Sequence, residues 1–331
     1  MSAPDFPALL QAFFTDRLLK QRRASPHTVT AYRNTFRLLL RFAASRLGHA
    51  PSRLALADLD AAFLCEFLDH LEHERKNSAR SRNARLAALH AFFRYVALTE
   101  PAHALLCQRV LAIPSKRFER GIVEFLADEE VEALVDVPDI LTWIGRRDRA
   151  VLLVGIQTGL RVSELTALRR QDVTLGTGAH VRCLGKGRKL RATPLRRDVT
   201  SVLDAWLREL PTALDTPVFP SSRGGRMSAD AVERLVAKHA TAARQRCPSL
   251  ASKRVTPHTL RHTAAMQLLQ RGVDRTVIAL WLGHESIETT QIYLHADLRL
   301  KEKALGHAAP SRLAVGRYRP GDALLTFLEG L

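Results

Sequence analysis

The chain has 331 residues, 46% of them hydrophobic and 25% charged, with 50 Lys and Arg against 33 Asp and Glu for a formal charge of +17. That length exceeds one ordinary core and points to about two domains. No apolar run is long enough to span a bilayer. The start, Met1-Ser2-Ala3-Pro4-Asp5, lacks the basic-then-apolar pattern of a secretory leader, and Cys65, Cys107, Cys183 and Cys247 are too scattered for a zinc site built on paired cysteines. A reduced, cytoplasmic setting with no membrane contact is therefore expected. The positive charge is shared: residues 1–112 carry 16 basic against 9 acidic side chains, so both parts of the chain suit a polyanionic partner, nucleic acid first.

The first part reads as helical. Ser25-Pro26 is a helix start, with a capping hydroxyl followed by a proline suited to the first turn. From there Val29, Tyr32, Phe36, Leu39, Ala43 and Leu47 recur every three or four residues. A second helix holds Phe63, Leu64, Phe67, Leu68 and Leu71, and a third holds Leu86, Leu89, Phe93 and Val96 on one face. The third helix begins with Arg80, Arg82 and Arg85 among Asn77, Ser78, Ser81 and Asn83. These are phosphate-contacting residue types at a helix start, and equally the make-up of a solvated basic face. Pro114, Lys116, Arg117 and Arg120 mark residues 110–122 as a basic linker, its centre at 113–121, able to lie along a DNA backbone.

The second part is mixed. Helices are expected over Leu126–Val135 and Arg147–Thr158, then a turn at Thr158-Gly159-Leu160-Arg161 opening a short helix. Two strands, His180–Leu184 and Leu190–Thr193, are joined by the hairpin loop Gly185-Lys186-Gly187-Arg188-Lys189. Helices resume near 198–209, 228–243, 257–271 and 274–282. The fold class is mainly α with a small β-sheet.

Four segments carry chemistry. TGLRVSEL places Arg161 at a helix entrance, with Glu164 three residues on and able to orient a neighbouring cation. GKGRKLRATPL exposes Lys186 at a glycine-flanked hairpin tip, followed by a strand, so it is no nucleotide-binding phosphate loop. TPHTLRH starts a helix at Thr256-Pro257 and sets His258 and Arg261 on one face; His258 and His262 lack the glutamate and third ligand of a zinc motif. LWLGHESIETTQIYLH ends a helix at Gly283, follows it with His284 and brings Tyr293 nine residues later. A lone tyrosine among apolar neighbours is usually core; the company of the other segments changes that reading.

Together these segments resemble the tyrosine recombinases, the phage-integrase or lambda-integrase family. The likeness is close over residues 122–300 and looser over the helical part. It implies a helical, SAM-like core-binding domain over 1–112, a mixed α/β catalytic domain over 122–305 and a tail over 306–331. By the same likeness Arg161 and Arg261 are active-site arginines, Lys186 the hairpin lysine, His258 and His284 the two histidines, Tyr293 the nucleophile and Glu164 a supporting acid. DNA contacts are expected from Arg80, Arg82, Arg85, Lys116, Arg117 and Arg188.

The chemistry suits those residue types. A phenol is only about 0.1% ionised at neutral pH, so it needs nearby positive charge or a base. Two guanidiniums can hold the non-bridging phosphate oxygens and keep their charge. A lysine can protonate the leaving 5′-oxygen. His258 either accepts the tyrosine proton or orients its neighbours, and His284 donates to a phosphate oxygen. Attack by Tyr293 leaves a 3′-phosphotyrosine bond and a free 5′-hydroxyl, with no cofactor, metal or ATP in the scheme.

The implied partner is double-stranded DNA carrying specific sites, with four protomers on two sites, a monomer or dimer when free, and accessory recombinases as further partners. The segment Asp322–Leu328 reads as a short apolar helix, docked either on a neighbouring subunit or on its own domain. A mobile-element recombinase is preferred for the tail beyond residue 306. Xer-like dimer resolution, phage integration, a type IB topoisomerase and a DNA-binding protein without catalysis are the alternatives.

Overall fold

The structure, a computed structural model, describes residues 5–118, 123–185 and 190–283. The chain divides into two compact units, residues 1–120 and 121–331. Lys186, Arg188, His284, Tyr293 and the segment Asp322–Leu328 lie outside the described residues.

In the N-terminal unit, helix starts follow capping chemistry. Asp5 accepts from the Ala8 amide ahead of α1 (Phe6–Ala12), which runs straight into a wider π-helical stretch, Phe13–Gln21. Ser25 accepts from the Thr28 amide to open α2 (Pro26–Leu47), Asp60 caps α3 (Ala61–His73), and Ser78 caps α4 (Ala79–Thr99). Each cap satisfies one of the amides that a helix start leaves without a partner. A final helix, α5, spans Ala104–Leu111. The core is aromatic at its centre: Phe92 sits 5.3–5.9 Å from Phe6, Phe13, Phe36 and Phe93, ring edge against ring face. Such pairs add roughly 0.5–1.5 kcal/mol each beyond the area they bury.

Two expectations are corrected here. Arg82 does not face outward for phosphate. It is 4% exposed, donates to the Pro114 carbonyl at 3.0 Å and lies 3.8 Å from the Glu72 carboxylate. It stands four residues before Leu86 on the helix stripe that packs inward, so its position is set by the core. The linker also begins later than 110, because Val110 belongs to α5 and both Val110 and Ile113 are buried. Asn83 fastens the following residues, giving to the Lys116 carbonyl at 2.7 Å and accepting from its amide at 3.0 Å.

The C-terminal unit packs helices around a small sheet. Its elements are α6 (Asp128–Val135), α7 (Trp143–Thr158), α8 (Val162–Ala167), β1 (Val173–Thr174), β2 (His180–Leu184), β3 (Leu190–Pro194), α9 (Arg197–Arg208), α10 (Ala229–Ala243), α11 (Pro257–Gln270) and α12 (Arg275–Leu282). The sheet is antiparallel in the order β1-β2-β3, with Cys183 opposite Arg191. It has three strands where two were expected, since a two-residue strand is too short to show alternation. The central helix is α7, buried along almost its whole length. Gln157 on α7 pins the end of β3, donating to the Pro194 carbonyl at 2.8 Å and accepting from the Arg196 amide at 3.3 Å. No helix among the described residues is long and apolar enough to cross a membrane.

Replacing Phe92 by Ala removes the hub of the aromatic cluster. It is expected to cost about 3–5 kcal/mol of the N-terminal unit's stability, read as a lower denaturant midpoint with an unchanged slope.

Candidate active site

Gly159 ends α7 in the left-handed conformation, φ 62°, with its amide on the Gly155 carbonyl. A Cβ there would lie 2.6 Å from a Leu282 methyl and 3.1 Å from the Ala264 Cβ, so both backbone and space require glycine. The turn makes Arg161 the N-cap of α8. Glu164, one helical turn on, accepts from the Arg161 amide at 2.8 Å and from its guanidinium Nη1 at 2.9 Å.

Glu164 has a second cationic partner. Arg191, from β3, gives Nη1 to Oε1 at 3.0 Å and Nη2 to Oε2 at 2.7 Å. The carboxylate is 6% exposed. Burial pushes its pKa up, but the hydrogen bonds from Arg191, then those from Arg161, outweigh it and hold the carboxyl below its ordinary value. The thiol of Cys183, opposite Arg191, is raised to about 11, chiefly by burial.

Arg261 enters from α11, whose start is fixed by the Thr256 cap and Pro257. It is 3% exposed, and it gives Nη1 to the Gly159 carbonyl at 2.6 Å and Nη2 to the Leu282 carbonyl at 2.7 Å. Arg161 gives Nη2 to the next carbonyl, Gly283, at 3.1 Å. Two guanidiniums from distant elements thus grip consecutive carbonyls at the C-terminus of α12, where the helix leaves its acceptors unpaired and partly negative. Gly283 is itself left-handed, φ 64°, and a Cβ on it would lie 2.6 Å from Nη1 of Arg191. Trp281 on the same helix donates to the Thr158 carbonyl at 3.1 Å, tying α12 to the end of α7.

His258 is exposed on the first turn of α11, and its ring stacks on that of His262, 5.7 Å between centroids and 12° between planes. His262 is lowered to about 4 by burial, then by the nearby His258 and Arg261.

The structure therefore brings together Arg161, Glu164 and Arg261, places His258 at the exposed start of α11, and adds Arg191, which the motifs did not single out. Strand alternation was the available signal: Arg191 and Thr193 share the face of β3 that meets Val181 and Cys183 of β2. Among the residues expected to meet DNA, Arg80 and Arg117 are exposed, Lys116 is paired with Glu72 at 2.5 Å, and Arg85 donates to the Ala31 carbonyl and the Thr35 hydroxyl of α2.

Residues 124–299 match the phage integrase family, and residues 12–99 match the phage integrase N-terminal SAM-like domain. The putative integrase/recombinase y4rC of Sinorhizobium fredii is 55% identical over 323 residues, 98% of this chain and 97% of that protein. Tyrosine recombinase XerC of Xanthomonas campestris pv. campestris is 34% identical over 316 residues, 93% of this chain and 91% of that protein. A crystal structure of the XerH site-specific recombinase bound to a palindromic difH substrate superposes with a TM-score of 0.70, covering 86% of this chain and 81% of that one at 23% identity, which speaks for a shared fold. The chain belongs to the phage integrase family of tyrosine recombinases.

Between pH 6.5 and about 4 an unfolded His262 takes up a proton that the folded one refuses, so the unfolded chain binds more protons and stability falls as pH falls through that window. His262→Gln is expected to flatten this part of the stability profile relative to wild type, measured by denaturant unfolding at stepped pH.

Proposed function

We propose that the protein is a site-specific DNA recombinase that cuts and rejoins strands through a 3′-phosphotyrosine intermediate. The observation that carries the reading is the convergence of Arg161 and Arg261 on the consecutive carbonyls of Leu282 and Gly283, one residue before His284 and ten before Tyr293. Two fixed positive charges beside the chain that bears the nucleophile are what a phosphodiester transition state requires.

In this scheme the phenol oxygen of Tyr293 attacks the scissile phosphorus and the bond from phosphorus to the 5′-oxygen breaks. Arg161 and Arg261 hold the two non-bridging oxygens, and Glu164 keeps Arg161 in place. Lys186 protonates the leaving 5′-oxygen. The tyrosine proton passes toward His258, and His284 donates to a phosphate oxygen. The phosphotyrosine bond keeps most of the free energy of the bond it replaced, so a 5′-hydroxyl from another strand reverses the step on new DNA. The chain's own side chains suffice for this sequence.

The partner is double-stranded DNA with defined sites, bound by four protomers across two sites. Residues 1–112 act as the core-binding domain, 122–305 as the catalytic domain and the tail from 306 as a tie between subunits, in a bacterial, nucleoid-associated setting. Service to a mobile element is the preferred role, supported by the likeness to y4rC, which is named an integrase/recombinase. Resolution of chromosome or plasmid dimers is the second reading, supported by the 34% identity to XerC.

The test uses purified protein and nicked duplexes drawn from DNA flanking its gene, read on denaturing gels for covalent adducts. Wild type is expected to form an adduct and Tyr293→Phe none, while Arg261→Ala slows adduct formation by about 100- to 1,000-fold. An adduct that survives in Tyr293→Phe contradicts the assignment.

Binding separates the basic residues. Arg80→Ala or Arg117→Ala is expected to weaken DNA binding and lower the salt slope by about 1 each. Arg82→Ala, in contrast, lowers the unfolding midpoint, because that side chain is buried in the N-terminal unit.

A further inference from the structure

Arg191 is the second residue of β3, five residues after Lys186. Its side chain is only 11% exposed, and both terminal nitrogens are spent on Glu164. That fork is committed to a carboxylate that also binds Arg161. The charge and geometry of Arg191 act on neighbours, and these neighbours are the site.

Glu164 is saturated. Oε1 accepts from Nη1 of Arg161 and Nη1 of Arg191, while Oε2 accepts from the Arg161 amide and Nη2 of Arg191. Arg161, with 29% of its side chain exposed, is held by this carboxylate and by the Gly283 carbonyl. Arg191 also packs against Gly283, filling the space a side chain there would need. One residue of β3 thereby touches both anchors of Arg161.

We propose that Arg191 is a positioning residue for DNA cleavage, locking Glu164 and the Gly283 turn so that Arg161 is aimed at the scissile phosphate. The inference rests on the recombinase reading and deepens it. The bidentate fork matters because it orients a plane as well as supplying charge; lysine supplies only the charge.

The groups facing Glu164 are Arg161 at the start of α8, Arg191 on β3 and Cys183 on β2, and Cys183 in turn lies near Arg261 of α11. With Arg191 replaced by Met, burial acts on Glu164 with half its donors gone, and the carboxyl shifts upward. A protonated Glu164 cannot hold Arg161 as an ion, so cleavage in the variant falls as pH falls. Wild type has no such limb near neutrality, because its Glu164 lies below its ordinary value of 4.5.

The experiment measures single-turnover cleavage of the nicked duplex, binding of the same DNA and thermal unfolding for wild type, R191M, R191K, E164Q and the E164Q/R191M double variant, from about pH 5.5 to 8.5. R191M is expected to bind DNA like wild type, to cleave about 10- to 100-fold more slowly at neutral pH and to slow further toward acid. R191K falls between them. R191M slows E164Q by less than it slows wild type, as residues that share a contact do not add. Wild-type cleavage by R191M across the whole pH range overturns the inference. So does a loss of folding, binding and cleavage in step in both R191M and R191K with an unchanged pH profile. Absence of any adduct with wild type overturns the recombinase reading itself and is distinguished from both outcomes by that control.

Discussion

Glu164 can stay ionised inside the protein only because both of its oxygens are bonded to cations or amides. A buried carboxylate that loses one cationic partner costs about 3–5 kcal/mol, so the fold is built to deliver those partners together. Arg161 arrives because Gly159 breaks α7 and lets the chain turn at once into α8. Arg191 arrives because β3 is registered against β2 and clipped to α7 by Gln157. The carboxylate is thus the joint at which the sheet and the helices of the catalytic unit agree on one geometry.

A second joint lies at the C-terminus of α12. Helices usually leave their last carbonyls to water; here Arg261 and Arg161 take the carbonyls of Leu282 and Gly283. The helix end presents partial negative charge where two guanidiniums meet, which lets like charges sit close in the absence of substrate. In the proposed reaction a bound phosphodiester supplies the same kind of charge more strongly. For that reaction the arrangement is prepared before DNA arrives, which is the condition under which fixed dipoles and charges accelerate a reaction.

Much of this was legible in the residues. Helices opened by Ser25-Pro26 and Thr256-Pro257 announce themselves, because a capping hydroxyl and a proline have few other uses at that spacing. Motif order singles out Arg161, Glu164 and Arg261, although not the carbonyls that the two arginines grip. The helix Phe6–Ala12, α5 and β1 were missed: the segments are short, and periodicity needs two or three turns to declare itself. Arg82 was misread through residue type, since its place on the Leu86, Leu89, Phe93 stripe outweighs its charge. Arg191 was passed over because a strand's alternation tells which face a residue takes and not which carboxylate waits there.

The central claim is that Tyr293 carries the DNA. It is tested most directly by trapping the adduct with wild-type protein, digesting protein and DNA, and identifying the modified peptide by mass spectrometry. The account predicts a nucleotide 3′-phosphate on the peptide that contains Tyr293. The same mass on any other residue, Tyr318 included, would contradict it.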